Sequence, residues 1–148
     1  MLDMIQVAQA NDDALQKQLI RHEGLKLKPY LDTVGKLTIG VGRNLADVGI
    51  SPDEALDLLA NDITRVKAGL DVALPWWRDL DAVRKRVLID MAFNLGVEGL
   101  RAFRLALSFT RSGDFDEAAT EMLASKWAGQ VGQRAKTLAQ MMHTGQAT

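Results

Sequence analysis

The chain of 148 residues carries 18 basic and 19 acidic side chains, and 47% of its residues are hydrophobic. That length fits one domain with a substantial core, and the composition excludes a disordered or collagen-like chain. Because cysteine is absent, disulfides and a cysteine nucleophile are excluded, and two histidines argue against a multi-histidine metal site. The net charge of −1 offers no overall attraction for nucleic acid or an anionic wall, so any binding must be local.

The N-terminal residues 1–11 show no clear apolar period and are expected to form an arm. A helix is predicted from about Asn11, whose side chain can cap the free amides of the first turn. It should end at Glu23, because the following Gly24 tolerates the left-handed conformation that ends helices. No Lys or Arg precedes Lys17, and no sustained apolar stretch follows, so we expect no Sec signal peptide.

The next segment has the pattern of a small antiparallel sheet. Residues 33–36 (TVGK) predict a turn between short strands, and residues 37–41 (LTIGV) are β-branched and alternating. Gly40 and Gly42 weaken that second strand and indicate a bulge or a close approach of the backbone. Residues 44–49 are expected to form a loop.

The rest of the chain is predicted to be helical. Ser51, Pro52 and Glu54 form a strong helix start, since Ser caps, Pro fits the first helical position and Glu completes a capping box. The predicted helices cover about 52–69, 81–95, 100–110, 115–125 and 132–143. We therefore expect an α+β, mostly helical fold in which a small β-hairpin lobe and a larger helical lobe are joined by a long helix. Residues 12–60 would form the small lobe, 52–70 the linking helix and 71–148 the helical lobe.

Carboxylates are the first candidates for catalysis in a chain of this composition. Glu23 lies at a predicted helix end, Asp32 at the start of the hairpin turn and Thr38 on the second strand. Glycoside hydrolysis needs one carboxyl group that protonates the leaving oxygen and a second that acts on water or on the sugar. These three positions taken alone are weak evidence, because Asp commonly satisfies turn amides and Thr is common in strands.

The spacing of these residues resembles the catalytic segment of phage-type lysozymes, glycoside hydrolase family twenty-four. That family's pattern is Glu, eight residues, Asp, five residues, Thr, followed by Gly-x-Gly, and residues 23–42 (EGLKLKPYLDTVGKLTIGVG) contain all of it. The resemblance continues through residues 86–96 (RVLIDMAFNLG), 116–119 (DEAA), 125–127 (SKW) and 133–136 (QRAK). It therefore spans about residues 12–145 in the family's order.

The resemblance implies an endo-N-acetylmuramidase that hydrolyses the β-1,4 bond between N-acetylmuramic acid and N-acetylglucosamine in peptidoglycan. Glu23 would be the general acid, while Asp32 and Thr38 would hold the attacking water on the opposite face of the sugar. The reaction would invert the anomeric carbon, so we expect a wide separation of the Glu23 and Asp32 carboxyl groups. No cofactor and no metal ion is implied.

Further residues carry expectations from the family alone. Arg134 should pair with Glu23 and fix its position. Arg43, where the best-known members have His, could pair with Asp62 on the linking helix. Trp127 matches a core position. The implied substrate contacts are Asn44, Phe93, Asn94, Ala106 and Glu121, although the residue types at Asn44, Ala106 and Glu121 look altered or uninformative.

The resemblance favours an endolysin made in the host cytoplasm and released to the wall through a holin lesion. It would act as a monomer, without nucleic acid or stable membrane insertion. A virion-associated or prophage lysozyme would share this chemistry.

A lytic transglycosylase needs no base to position water, so Asp32 with Thr38 argues against it. A non-cleaving glycan-binding module is less favoured because both carboxylates are present. Membrane killing by residues 132–143 is a minor alternative, since that helix carries two cations.

Overall fold

The computed structural model describes the backbone of residues 4–147 and, apart from residues 5–8, 10 and 11, their side chains. It confirms a mostly helical α+β fold with a small antiparallel sheet. The elements, in chain order, are α1 (Met4–Glu23), β1 (Lys26–Leu31), β2 (Leu37–Gly40), β3 (Arg43–Asn44), α2 (Pro52–Ala73), a 3₁₀ turn (Trp77–Asp79), α3 (Ala82–Arg101), α4 (Arg104–Ser112), α5 (Phe115–Leu123), α6 (Lys126–Val131) and α7 (Gln133–Thr144).

Helix α1 ends where the sequence predicts but begins earlier. It starts at Met4 rather than near Asn11, so the predicted helix start is wrong and residues 4–11 form the first turns of α1. The predicted cap, Asn11, lies inside the helix, and Ala, Gln and Met around it are good helix formers. The helix ends at Glu23 because Gly24 adopts a φ of 79° and donates its N–H to the Ile20 carbonyl at 2.8 Å.

The three strands form one antiparallel sheet in the order β1-β2-β3. Tyr30 pairs with Thr38 and Leu31 with Leu37, and Thr38 in turn pairs with Asn44. The predicted turn joins β1 and β2. The short strand β3 was not predicted, since the predicted second strand ends at residue 41 and Asn44 was expected to begin a loop. Thr38 therefore occupies the central strand of the sheet.

The capping box predicted for α2 is present. The Glu54 N–H donates to Ser51 Oγ at 3.1 Å, and the Ser51 N–H donates to Glu54 Oε1 at 2.9 Å. The chain divides within this helix into two compact units, one ending at Ala55 and the other beginning at Leu56. We call them the β unit and the helical unit. The predicted lobe boundaries stay a prediction.

The helical unit contains the hydrophobic core. Helix α3 contributes Val87, Leu88, Met91 and other residues that are at most 2% exposed. Gly96 interrupts α3 with a φ of 77°. The six-residue helix α6 is not predicted by the sequence pattern. Among the helices in residues 4–147, none combines the length and apolarity that a membrane span requires.

Candidate active site

Glu23 is the last residue of α1, and its side chain is exposed. The left-handed Gly24 ends the helix directly after it and turns the chain toward β1. The carboxyl group is therefore carried by a regular helix that stops at a fixed position. A regular helix end is a suitable structural support for a group that must protonate a leaving oxygen.

Gly42 gives the Glu23 carboxyl group its space. A Cβ atom built on Gly42 would lie 3.0 Å from Glu23 Oε2, and the φ of Gly42 is 65°. Glycine is thus required for two reasons, the left-handed backbone and the close approach of a carboxylate. The predicted close backbone approach in this segment is found here.

Asp32 organises the turn between β1 and β2. Its Oδ1 accepts hydrogen bonds from the N–H groups of Val34 at 3.0 Å and Lys36 at 2.8 Å. The Gly35 N–H donates to the Asp32 carbonyl at 3.0 Å, with Gly35 at a φ of 82°. The turn thus holds the carboxylate through one oxygen and does not use Oδ2. A carboxylate fixed in this way can accept a proton at its other oxygen.

Thr38 is 3% exposed and is the one buried side chain among those described in the β unit. Its hydroxyl donates to the Lys36 carbonyl at 2.9 Å. Since the hydroxyl hydrogen is used in this bond, the oxygen presents lone pairs that can accept a hydrogen bond from water.

The backbone of Lys36 connects Asp32 and Thr38. Its N–H donates to the Asp32 carboxylate, and its carbonyl accepts from both the Asp32 N–H at 2.9 Å and the Thr38 hydroxyl. The sequence pattern does not reveal this connection, because backbone groups form it and the Lys side chain has no part in it. The structure therefore links the two residues predicted to act on water.

Asn44 and Arg43 hold the loop that follows the sheet. The Asn44 amide donates to Asp47 Oδ2 at 3.0 Å and accepts from the Asp47 N–H at 3.0 Å, so this side chain closes a local turn. Arg43 donates to the Gly49 carbonyl at 3.1 Å and to Glu54 at 2.9 Å. The partner found is thus Glu54, in the first turn of α2, in place of the predicted Asp62, which pairs with Arg65 on its own helix.

The ion pair with Arg43 affects the titration of Glu54. The Arg43 guanidinium, together with hydrogen bonds from Ser51, lowers the pKa of Glu54 from 4.5 to about 2. Glu54 is therefore favoured as a carboxylate, and in that form it completes the helix cap and forms an ion pair with Arg43. Its contacts give it a structural role at the start of α2.

The other predicted substrate contacts lie in the helical unit. Phe93 is 45% exposed, and Asn94 next to it is exposed as well. Ala106 and Glu121 line the same cavity of about 400 Å³, together with Phe103, Arg104, Lys126 and Trp127. Ala106, at 6% exposure, forms part of an apolar wall, and the half-buried Glu121 adds a carboxylate.

Arg134, predicted to support Glu23, pairs with Asp90 inside the helical unit. Its Nε donates to Asp90 Oδ1 at 2.9 Å, and a terminal nitrogen lies 2.7 Å from the same oxygen. This partner was not predicted, although Asp90 lies within the predicted helix 81–95. The pairing of Arg134 with Glu23 stays a prediction.

Trp127, predicted as a core residue, is 4% exposed. Its indole Nε1 donates to Asn94 Oδ1 at 2.8 Å, a contact that the sequence reasoning missed. Within residues 4–147, no three or more His, Asp or Glu side chains gather in a group that could hold a metal ion.

Comparison with known proteins identifies the family. The sequence profile of phage lysozyme matches residues 20–142. A probable T4-type lysozyme of Dictyostelium discoideum is 26% identical over 87% of this chain and 94% of its own length. The SAR-endolysin of Escherichia phage Mu is 30% identical over 83% of this chain and 71% of its own length. The pre-baseplate central spike protein Gp5 of Enterobacteria phage T4 is 28% identical over 89% of this chain, which spans 28% of that protein. The chain therefore belongs to the phage lysozyme family and is a glycoside hydrolase of the lysozyme type that acts on peptidoglycan.

Proposed function

We propose that the enzyme cleaves the β-1,4 bond between N-acetylmuramic acid and N-acetylglucosamine with inversion at the anomeric carbon. The observation that carries this proposal is the connection of Asp32 and Thr38 through the backbone of Lys36. Asp32 has one carboxylate oxygen outside the turn, and the Thr38 hydroxyl already donates its hydrogen to a carbonyl. Both groups can therefore accept hydrogen bonds from a water molecule. A transglycosylase has no need of such a pair.

In the proposed reaction Glu23 donates its proton to the glycosidic oxygen as the bond to the anomeric carbon breaks. The water oxygen forms the new bond to that carbon from the opposite face, and Asp32 accepts the proton that the water loses. Thr38 accepts a hydrogen bond from the same water and orients it. Arg134 would support Glu23, and Asn44, Phe93, Asn94, Ala106 and Glu121 would contact the substrate.

Product analysis on purified peptidoglycan tests the proposal. The wild type should release reducing muramic acid ends, and Glu23→Gln and Asp32→Asn should each lower the rate by about 10²- to 10⁴-fold. Thr38→Val should lose more activity than Thr38→Ser, which keeps the hydroxyl. Asp12→Asn, an exposed acid on α1, serves as the matched control with wild-type activity. Anhydro ends would instead indicate a transglycosylase, and full activity of Glu23→Gln would remove Glu23 from the role of acid.

The biological role proposed first is host lysis by an endolysin that reaches the wall through a holin lesion and works as a monomer. The similarity to the Mu SAR-endolysin supports the endolysin part of this role. The similarity to the T4 spike protein supports a second candidate, a lysozyme carried in the virion. Mass spectrometry of purified particles separates the two, because only the second role requires the chain to be present in the virion.

A further inference from the structure

The hydrogen bond between Trp127 and Asn94 lies in a tightly held part of the helical unit. The ring of Trp127 meets the ring of Phe103 edge-on, with centroids 5.8 Å apart. Ser125 Oγ caps α6 by accepting the Ala128 N–H at 3.2 Å, which fixes the start of the helix that carries Trp127. The contact with the Phe103 ring and the capped start of α6 therefore fix the position of the indole N–H.

The indole nitrogen decides how the Asn94 amide is oriented. An indole N–H can only donate, so the atom of Asn94 that lies 2.8 Å from it must be the carbonyl oxygen. A flipped amide would place two donors against each other and leave the indole N–H without an acceptor. The NH₂ group of Asn94 is thus turned away from Trp127, on a residue whose side chain is exposed.

We propose that Trp127 is a positioning residue that makes Asn94 a hydrogen-bond donor to the substrate. The ligand atom it fits is a carbonyl or carboxylate oxygen. In peptidoglycan such an oxygen can come from the acetamido group of a sugar or from the stem peptide. The inference rests on the proposed function, in which Asn94 contacts the substrate, and adds the chemical group that Asn94 recognises.

The surroundings of Trp127 support a role toward a ligand. Trp127 lines the cavity of about 400 Å³ that also contains Ala106 and Glu121. The same indole thus forms part of the cavity wall and controls the orientation of an exposed amide. Arg104 and Lys126 outnumber the single carboxylate of Glu121 in this lining, and the resulting positive charge favours an oxygen-rich ligand.

Two substitutions separate positioning from structural support. Asn94→Asp keeps an oxygen for the indole N–H but replaces the NH₂ donor, so the Tm should be maintained while affinity falls. Trp127→Phe keeps an aromatic ring but removes the N–H, so the Tm should fall and the amide is no longer held in one orientation. Both should raise the Kd for soluble glycan strands about three- to tenfold, the effect of one hydrogen bond. The Kd is measured by calorimetry in a Glu23→Gln background, and KM in the active enzyme should rise equally with kcat unchanged.

Trp77→Phe is the matched control. Trp77 is 1% exposed and donates its indole N–H to Asp71 Oδ1 at 2.7 Å, so the same deletion is made at a second buried tryptophan. It should lower the Tm and leave the Kd unchanged. In the Asn94→Asp background, Trp127→Phe should raise the Kd no further, because the donor it positions is already absent.

Binding to glycan strands with and without stem peptides shows which group of peptidoglycan carries the oxygen that Asn94 recognises. If it belongs to the peptide, the loss of affinity disappears on strands that an amidase has stripped, and if it belongs to an acetamido group, the loss is the same on both. Wild-type Kd values for Asn94→Asp and Trp127→Phe on both substrates would overturn the inference, as would an additive effect in the double variant. Because binding is measured without turnover, this result is independent of whether the wild type proves to be a hydrolase.

Discussion

Gly42 is the residue at which backbone geometry and proposed chemistry meet most directly. Its Cβ position lies 3.0 Å from Glu23 Oε2, so Gly42→Ala should push the acid by a few tenths of an ångström. Gly40 has a similar φ of 69° but no atom within 4 Å of its Cβ position. Both alanine variants should lose about 1–2 kcal/mol of stability from the left-handed backbone. Only Gly42→Ala should also lower kcat, by about three- to tenfold, because the acid is displaced.

The measurement for this pair is kcat on soluble peptidoglycan beside the free energy of unfolding in urea. Equal kcat values for Gly40→Ala and Gly42→Ala would mean that contact with the Glu23 carboxyl group has no part in catalysis. A loss of kcat in both variants, in proportion to stability, would assign the effect to the backbone alone.

The positions of the proposed catalytic residues were easier to predict than their contacts. The resemblance to the lysozyme pattern singled out Glu23, Asp32 and Thr38, and local signals placed them at a helix end, a turn and a strand. The contacts between Lys36 and its two partners could not be predicted, since they use backbone groups that every residue possesses. The Asp90 partner of Arg134 was also missed, because sequence alone does not tell which acid a long side chain will reach.

At the scale of elements, the ion pair at the start of α2 predicts a pH dependence of stability. The pKa of Glu54 is lowered to about 2, chiefly by Arg43, so its carboxylate is favoured in the folded protein. The stability that the ionised Glu54 contributes is fully present above the pKa of the unfolded state, about 4.5, and is lost as the pH falls toward 2. Wild type should therefore have a higher Tm than Glu54→Gln at pH 7, and the difference should shrink between pH 4.5 and 2.

Thermal unfolding followed by circular dichroism at several pH values checks this expectation. In an Arg43→Gln background, Glu54→Gln should have a smaller effect, because the main cause of the lowered pKa is then absent. A Tm difference that is constant from pH 7 to 2 would show that the two residues do not stabilise the fold through charge.

The helix and strand boundaries show where local signals suffice and where they fail. The Ser51–Glu54 box was predicted correctly because capping needs only residues three positions apart. The start of α1 was placed too late because Asn11 is a good cap residue that here lies inside a helix. Helix α6 was not predicted because six residues are too few to show a helical period, and Ser125 is its one clear signal.

At the scale of the whole molecule, burial is divided unequally between the two units. The buried hydrophobic side chains of the described residues all lie from Leu70 onward, whereas the β unit has Thr38 alone as a buried side chain. Apolar burial is the main source of stability, and regions with little of it open at lower free energy. The proposed catalytic residues Glu23, Asp32 and Thr38 thus belong to the unit with the smaller store of buried apolar surface.

The tryptophans make this division measurable, since Trp76, Trp77 and Trp127 all lie in the helical unit. Their fluorescence should follow that unit, while far-ultraviolet circular dichroism also detects α1 of the β unit. In urea the dichroism should therefore begin to change at a lower concentration than the fluorescence. Tyr30→Trp, which adds a reporter on β1, should broaden the fluorescence transition toward lower urea. Coincident transitions for both signals in both proteins would mean that the units unfold as one, and that the sheet draws stability from contacts beyond its own buried surface.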